Sequence, residues 1–289
     1  MHTWKLWREL QYPNKQHPLF RYFMRKKPIS QSKSLSALWR GFILFGAIAL
    51  CSIFSSWIIV FIIGLILLAP ILFAIGHSTI YGIIWSGHIA ETIATLHRHN
   101  IYDLLAITPK KASYIHTTVA KATLYSQNFD TVSSTVKTLL RFTLISITIV
   151  LAFHLFALLT PQNLWSLGLY QERTLLIIAV YPFIGFIYLD HIQSTLMAML
   201  IGIRVAINRE NSITTRITAM SAFLTVQLMM YALTNITILL IIQFIARQSG
   251  SLSLSAFILL WLTIGAFVHL LMRETIIHLL WQTIERQLN

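Results

Sequence analysis

The sequence predicts an all-α membrane protein with six transmembrane helices, both termini in the cytoplasm and an amphipathic interfacial helix near the N-terminus. Three observations predict it. First, 56% of the 289 residues are hydrophobic and only 11% are charged, against about 25% charged in a soluble domain. Mean hydropathy is +0.70. Second, residues 41–90, 142–171, 217–246 and 248–272 contain no Lys, Arg, Asp or Glu, and 174–203 contain only Asp190. A helix crosses a bilayer with about 20 apolar residues. Third, the basic residues are segregated. Twenty of the 22 Lys and Arg fall before residue 41, between 98 and 141, between 204 and 216, or at Arg273 and Arg286. Only Arg173 and Arg247 fall in the alternate connections. That asymmetry places the basic side, and both ends of the chain, in the cytoplasm.

Each element follows in order. Residues 1–40 form a basic, aromatic N-terminal segment, unlike a cleavable signal peptide. Trp4, Trp7 and Leu10 recur every three residues. Pro18 opens and Pro28 closes a second unit, in which Leu19, Phe20, Phe23 and Met24 share a face beside Arg21, Arg25 and Lys26. Such a pattern reads as a helix lying in the interface plane, either a lipid anchor or a lever from a partner into the first span. Residues 41–289 form the transmembrane domain. Fifty uncharged residues (41–90) exceed one crossing, so the run is expected to fold back at Pro70. The expected spans are 42–64, 71–96, 142–160, 174–201, 217–246 and 254–273, with a large cytoplasmic loop at 97–140.

Several classes are excluded. Long unbroken apolar runs do not suit a β-barrel, whose strands alternate. Cys51 is the only cysteine, so no disulfide framework exists. The net charge of +13 is accounted for by topology and attraction to anionic lipid, not by nucleic acid. The setting implied is the inner (cytoplasmic) membrane.

The loop is the most informative stretch. Glu91 lies at the end of the second span. Asp103-Leu104-Leu105-Ala106-Ile107-Thr108-Pro109-Lys110-Lys111 follows. Asn100 or Asp103 can cap a short helix and Pro109 ends it. A second amphipathic stretch runs over 112–124. This arrangement resembles the ABC-2-type transporter permeases, which have an acidic residue after span two and then a Leu-Leu-x-x-Thr-Pro stretch. His17-Pro18-Leu19-Phe20 is similar to the opening of their amphipathic N-terminal helix. The chain departs from the family at Thr92, where Arg is usual. The resemblance implies a permease-like exporter subunit, a homodimer or hetero-oligomer, coupled to a separate ATP-binding subunit. Leu104, Leu105 and Ile107 would dock on that subunit, Asp103, Thr108 and Pro109 would frame the helix, and Glu91 would hold the loop by a charge-assisted hydrogen bond. The chain itself has no Gly-rich phosphate loop.

Ionisable residues within spans are functional candidates. They are His77 and His88 on one face of span two, His154, Asp190 and His191. By residue count His77 and His154 lie at about one depth, and His88 and His191 at another, about 16 Å deeper. Two such layers would suit axial ligands of stacked haems or bacteriochlorophylls, in a non-transporting electron-transfer or scaffold subunit. The plainer expectation is hydrogen bonding to neighbouring helices, with no cofactor. Asp190 would pair with His88 or His191, line a polar cavity or carry a proton. Gly76, Gly82 and Gly87 would permit close helix packing. No metal-ligand spacing and no nucleophile–base–acid set is evident, so the chain is not expected to be an enzyme.

Overall fold

The computed structural model describes residues 2–13, 16, 18–25, 58–99, 112–158, 167–207, 211–249 and 254–288. They form eight helices and, among the described residues, no strand. These are α1 (His2–Gln11), α2 (Pro18–Arg25), α3 (Ile58–Arg98), α4 (Ala112–Ser126), α5 (Phe129–Leu158), α6 (Leu167–Ala206), α7 (Ser212–Ser249) and α8 (Leu254–Leu288). Three windows among the described residues are long and apolar enough to cross a membrane: Ile184–Ala206, Ser212–Ile245 and Thr263–Leu288. The α7 window leaves Leu228, Leu240 and Phe244 exposed, an apolar surface larger than water tolerates on a monomer. This is a helical membrane protein.

The turn expected at Pro70 is not there. Helix α3 runs 41 residues without interruption through that proline, about 60 Å. Residues 65–75 hold no polar side chain to satisfy a turn, and in an apolar setting a helix absorbs a proline more cheaply than it opens its backbone. Most of the expected span 42–64 lies outside the described residues. The 97–140 loop is also largely helical: it contains α4 and the first turns of α5, which begins at Phe129. Helix α8 likewise continues past residue 273 to Leu288.

Helix α6 is the axis of the bundle. Every residue from 190 to 203 is buried, since α3, α5 and α8 pack along it and α1, α4 and α7 close the remaining sides. Its polar residues there, Asp190, His191, Gln193, Ser194 and Thr195, are buried with the apolar ones. Gly202 permits a close approach of two backbones, because a Cβ there would lie 2.8 Å from the carbonyl oxygen of Ser86 on α3. Gly82 accommodates the Phe223 ring of α7 in the same way, whereas Gly76 has no neighbour within 4 Å and contributes no close packing.

The hydrophobic core sits at the end of the bundle that carries α1, α2 and α4. In α1, Thr3, Leu6, Trp7 and Leu10 are buried, a stripe of helical period. Trp4, expected on that stripe by its spacing, is 58% exposed while Trp7 is 1% exposed, because steps of three drift off a 3.6-residue face. Trp7 packs edge-on against Phe129 at 5.8 Å, and Trp85 and Tyr125 meet the same ring at 5.7 and 5.3 Å. In α2, which opens at Pro18 as expected, Phe20 packs edge-on to Tyr125. Both ends of α1 are fastened: the Thr3 amide and hydroxyl donate to the Glu274 carboxylate, and the Tyr125 hydroxyl donates to the carbonyls of Leu10 and Gln11. Those are the unfilled donors and acceptors that every helix terminus leaves. Asn128, at φ 61°, makes the left-handed turn between α4 and α5, a conformation Asn tolerates. Asn211 caps α7 by accepting from the amides of Ile213 and Thr214.

Candidate functional site

Deep in the bundle, α6, α7, α8 and α3 converge on a polar cluster. Asp190 on α6 is 2% exposed and Arg273 on α8 is 0% exposed. Arg273 Nη1 donates to Asp190 Oδ1 at 3.0 Å and to the Asp190 carbonyl at 2.9 Å. One turn earlier on α8, His269 Nε2 lies 3.1 Å from the same Oδ1. Its Nδ1 lies 3.1 Å from the hydroxyl of Thr234 on α7. The Tyr231 ring stacks on His269, 5.2 Å between centroids and 10° between planes, and also lies under the Arg273 guanidinium at 5.8 Å. Phe186 closes the imidazole edge-on at 5.6 Å. Gln227 donates to the Tyr231 hydroxyl at 2.9 Å and to Thr79 of α3 at 3.5 Å.

Spacing explains how the residues meet. His269 and Arg273 stand four apart on one face of α8, and Gln227, Tyr231 and Thr234 stand at i, i+4 and i+7 on α7. Burying a carboxylate and a guanidinium costs several kcal/mol each unless they pair, and here one guanidinium nitrogen meets both the carboxylate and the carbonyl of Asp190. Asp190 Oδ2 and Arg273 Nε and Nη2 are buried with no hydrogen-bond partner among the described residues.

His269 bridges α6 and α7: with Nε2–H donating to Asp190, Nδ1 accepts from the Thr234 hydroxyl. The sequence spacing did not disclose this carboxylate–imidazole–hydroxyl order.

The expected partners of Asp190 are therefore corrected. It pairs with His269 and Arg273, not with His88, and His191 is buried beside it on α6. Arg273, counted as a loop charge after the last span, is interior. A sequence signal was present: Ile276, Ile277, Leu280, Trp281 and Ile284 continue the apolar pattern beyond it. His269 was missed because a lone histidine in an apolar run has no local partner.

Glu91 makes a charge-assisted contact, as expected, but with a different element. It accepts from Arg216 Nη1 of α7 at 3.2 Å, with His88 Nδ1 at 3.6 Å. Each member of the Glu91–Arg216 pair is about a third exposed, so the pair contributes on the order of 0–1 kcal/mol. Asp103, Leu104, Leu105, Ile107, Thr108 and Pro109 lie outside the described residues, as do the side chains of His77 and His154. In α4, His116 is buried, and its imidazole is pushed down to about 4 by burial and by neighbouring His97. The Tyr125 hydroxyl is pushed up to about 12 by burial and by Asp130, which keeps it a donor to the end of α1. No group of three or more His, Cys, Asp and Glu among the described residues is placed to hold a metal ion.

Comparison with protein-family models, with curated proteins and with solved structures finds no match.

Proposed function

We propose that the chain is a six-pass, permease-like subunit of an ABC-2-type exporter of the inner membrane, with both termini cytoplasmic, driven by a separate ATP-hydrolysing subunit that docks on residues 103–109. One observation carries the reading: the two helices that flank this stub, α3 and α4, are both locked into one buried core. Ile89, Ile93 and Leu96 of α3 share that core with Ile115, Val119 and Leu124 of α4. Helices that share one core move together, so a load applied to either is passed to the other. The route continues inward. Tyr125 of α4 holds α1, Glu274 holds the other end of α1, and adjacent Arg273 grips Asp190 on the central helix. The Glu91–Arg216 pair links the end of α3 to the start of α7.

The test is co-purification from native membrane. The intact chain is expected to bring an ATP-binding polypeptide with it, and Leu104→Asp with Leu105→Asp is expected to abolish that association while the bundle stays folded. Unchanged association would overturn the reading. If no ATP-binding chain is found and a visible absorption band disappears in His88→Ala or His191→Ala, the protein is a cofactor-bearing subunit instead.

A further inference from the structure

A cavity of about 380 Å³ lies where α5 meets the junction of α1 and α4. Its α5 wall is a single stripe: Asp130, Ser134, Lys137, Thr138 and Arg141 recur in helical steps. The stripe does not end at Arg141. Ile145, Thr148 and Ala152 continue it, all exposed, and residues 142–158 hold no Lys, Arg, Asp or Glu. One ridge therefore changes at Arg141 from cationic and hydroxyl-bearing to uncharged and apolar apart from Thr148, whose hydroxyl donates to its own helix at the Leu144 carbonyl.

A phospholipid presents the same order: polar head, phosphate, acyl chain. The geometry points to this cavity as a binding site for the headgroup of an anionic phospholipid, with an acyl chain along Ile145. Lys137 and Arg141 stand about 6 Å apart along the axis, so both cations reach one phosphate. Asp130 stands about 10 Å further from the apolar half, too far to repel that phosphate closely and placed to accept from a headgroup hydroxyl. Two cations and one carboxylate leave a single positive charge, which matches one phosphodiester with an uncharged, hydroxylated head. Phosphatidylglycerol has that chemistry. The inference goes beyond the exporter reading and requires only that the apolar half of α5 lie in lipid.

Native mass spectrometry of the full-length protein in detergent tests it, with phosphatidylglycerol, phosphatidylcholine of the same chains and inorganic phosphate as probes. One phosphatidylglycerol per chain is expected to bind in preference to phosphatidylcholine. Affinity is expected to fall at least about tenfold in Lys137→Gln/Arg141→Gln and to persist in Lys137→Arg/Arg141→Lys. Arg141→Gln alone, at an exposed side chain, gives a smaller loss in the same direction should the double variant not fold. Equal binding of both lipids, or undiminished phosphatidylglycerol binding by the Gln variants, overturns the proposal. Displacement of the lipid by equimolar inorganic phosphate assigns the site to free phosphate and overturns it too. So does labelling of Ile145→Cys by a water-soluble maleimide in intact vesicles, which would place that ridge in water.

Discussion

Asp190→Asn keeps the side-chain volume and removes one charge, leaving the Arg273 guanidinium enclosed without its counterion. Two losses combine. The charge-assisted bonds at 3.0 and 3.1 Å weaken to neutral ones, and the cation keeps its burial penalty. Breaking one side of such a pair costs about 3–5 kcal/mol. Arg273→Met should be milder than Asp190→Asn, because His269 remains to donate to the carboxylate. The double variant Asp190→Asn/Arg273→Met removes both charges together with the unsatisfied Nε and Nη2. It should lie within about 1–2 kcal/mol of the parent, since apolar replacement of a whole buried pair is often neutral. The cycle therefore predicts a coupling of at least about 2 kcal/mol. Equilibrium unfolding in mixed micelles, followed by tryptophan fluorescence, measures all four proteins. Asp190→Asn within about 1 kcal/mol of the parent, or strictly additive single effects, would refute the claim that this pair holds α6 to α8.

Three further predictions concern packing elsewhere in the bundle. Below pH 6.5 the unfolded chain protonates at His116 while the folded imidazole stays neutral down to about 4, so acid favours unfolding. Stability should fall across that interval by up to about 3 kcal/mol, and a pH series on His116→Leu should lack that slope. Gly202→Val places carbon against the Ser86 carbonyl, 2.8 Å from the Cβ position. It should cost about 1–3 kcal/mol or more, while Gly76→Ala, with open space, should leave the thermal midpoint unchanged. Tyr125→Phe removes the donor to Leu10 and Gln11. It should cost about 1 kcal/mol and speed proteolysis at Tyr12 and Pro13, read by N-terminal sequencing.

The helical class and its apolar character were legible because charge gaps report directly on what surrounds a helix. The Pro18 start of α2 and the amphipathic stretch at 112–124 followed from local chemistry. What was not legible came from contacts distant in sequence. Pro70 carries a strong local signal for a turn, and only its apolar neighbours on both sides let the helix continue. Arg273 has the spacing of a boundary charge, and it is interior because Asp190, 83 residues earlier, receives it. Trp4 and Trp7 are indistinguishable by residue type; the Phe129 ring decides between them. Glu91 was recognisable as an ion-pair member, but nothing near it named Arg216.

The separation between Asp190 and Arg273 also constrains how the molecule is made. Ribosomes add about 5–20 residues per second, so the carboxylate is synthesised about 4–17 s before its counterion. During that delay Asp190 has neither of its α8 partners and must wait in a hydrated setting. A chain terminated anywhere before residue 269 would lack both α8 donors to that carboxylate. Quality control in the membrane would therefore encounter an exposed acid, and nascent chains that stall late should be degraded faster than those that stall before α6 emerges.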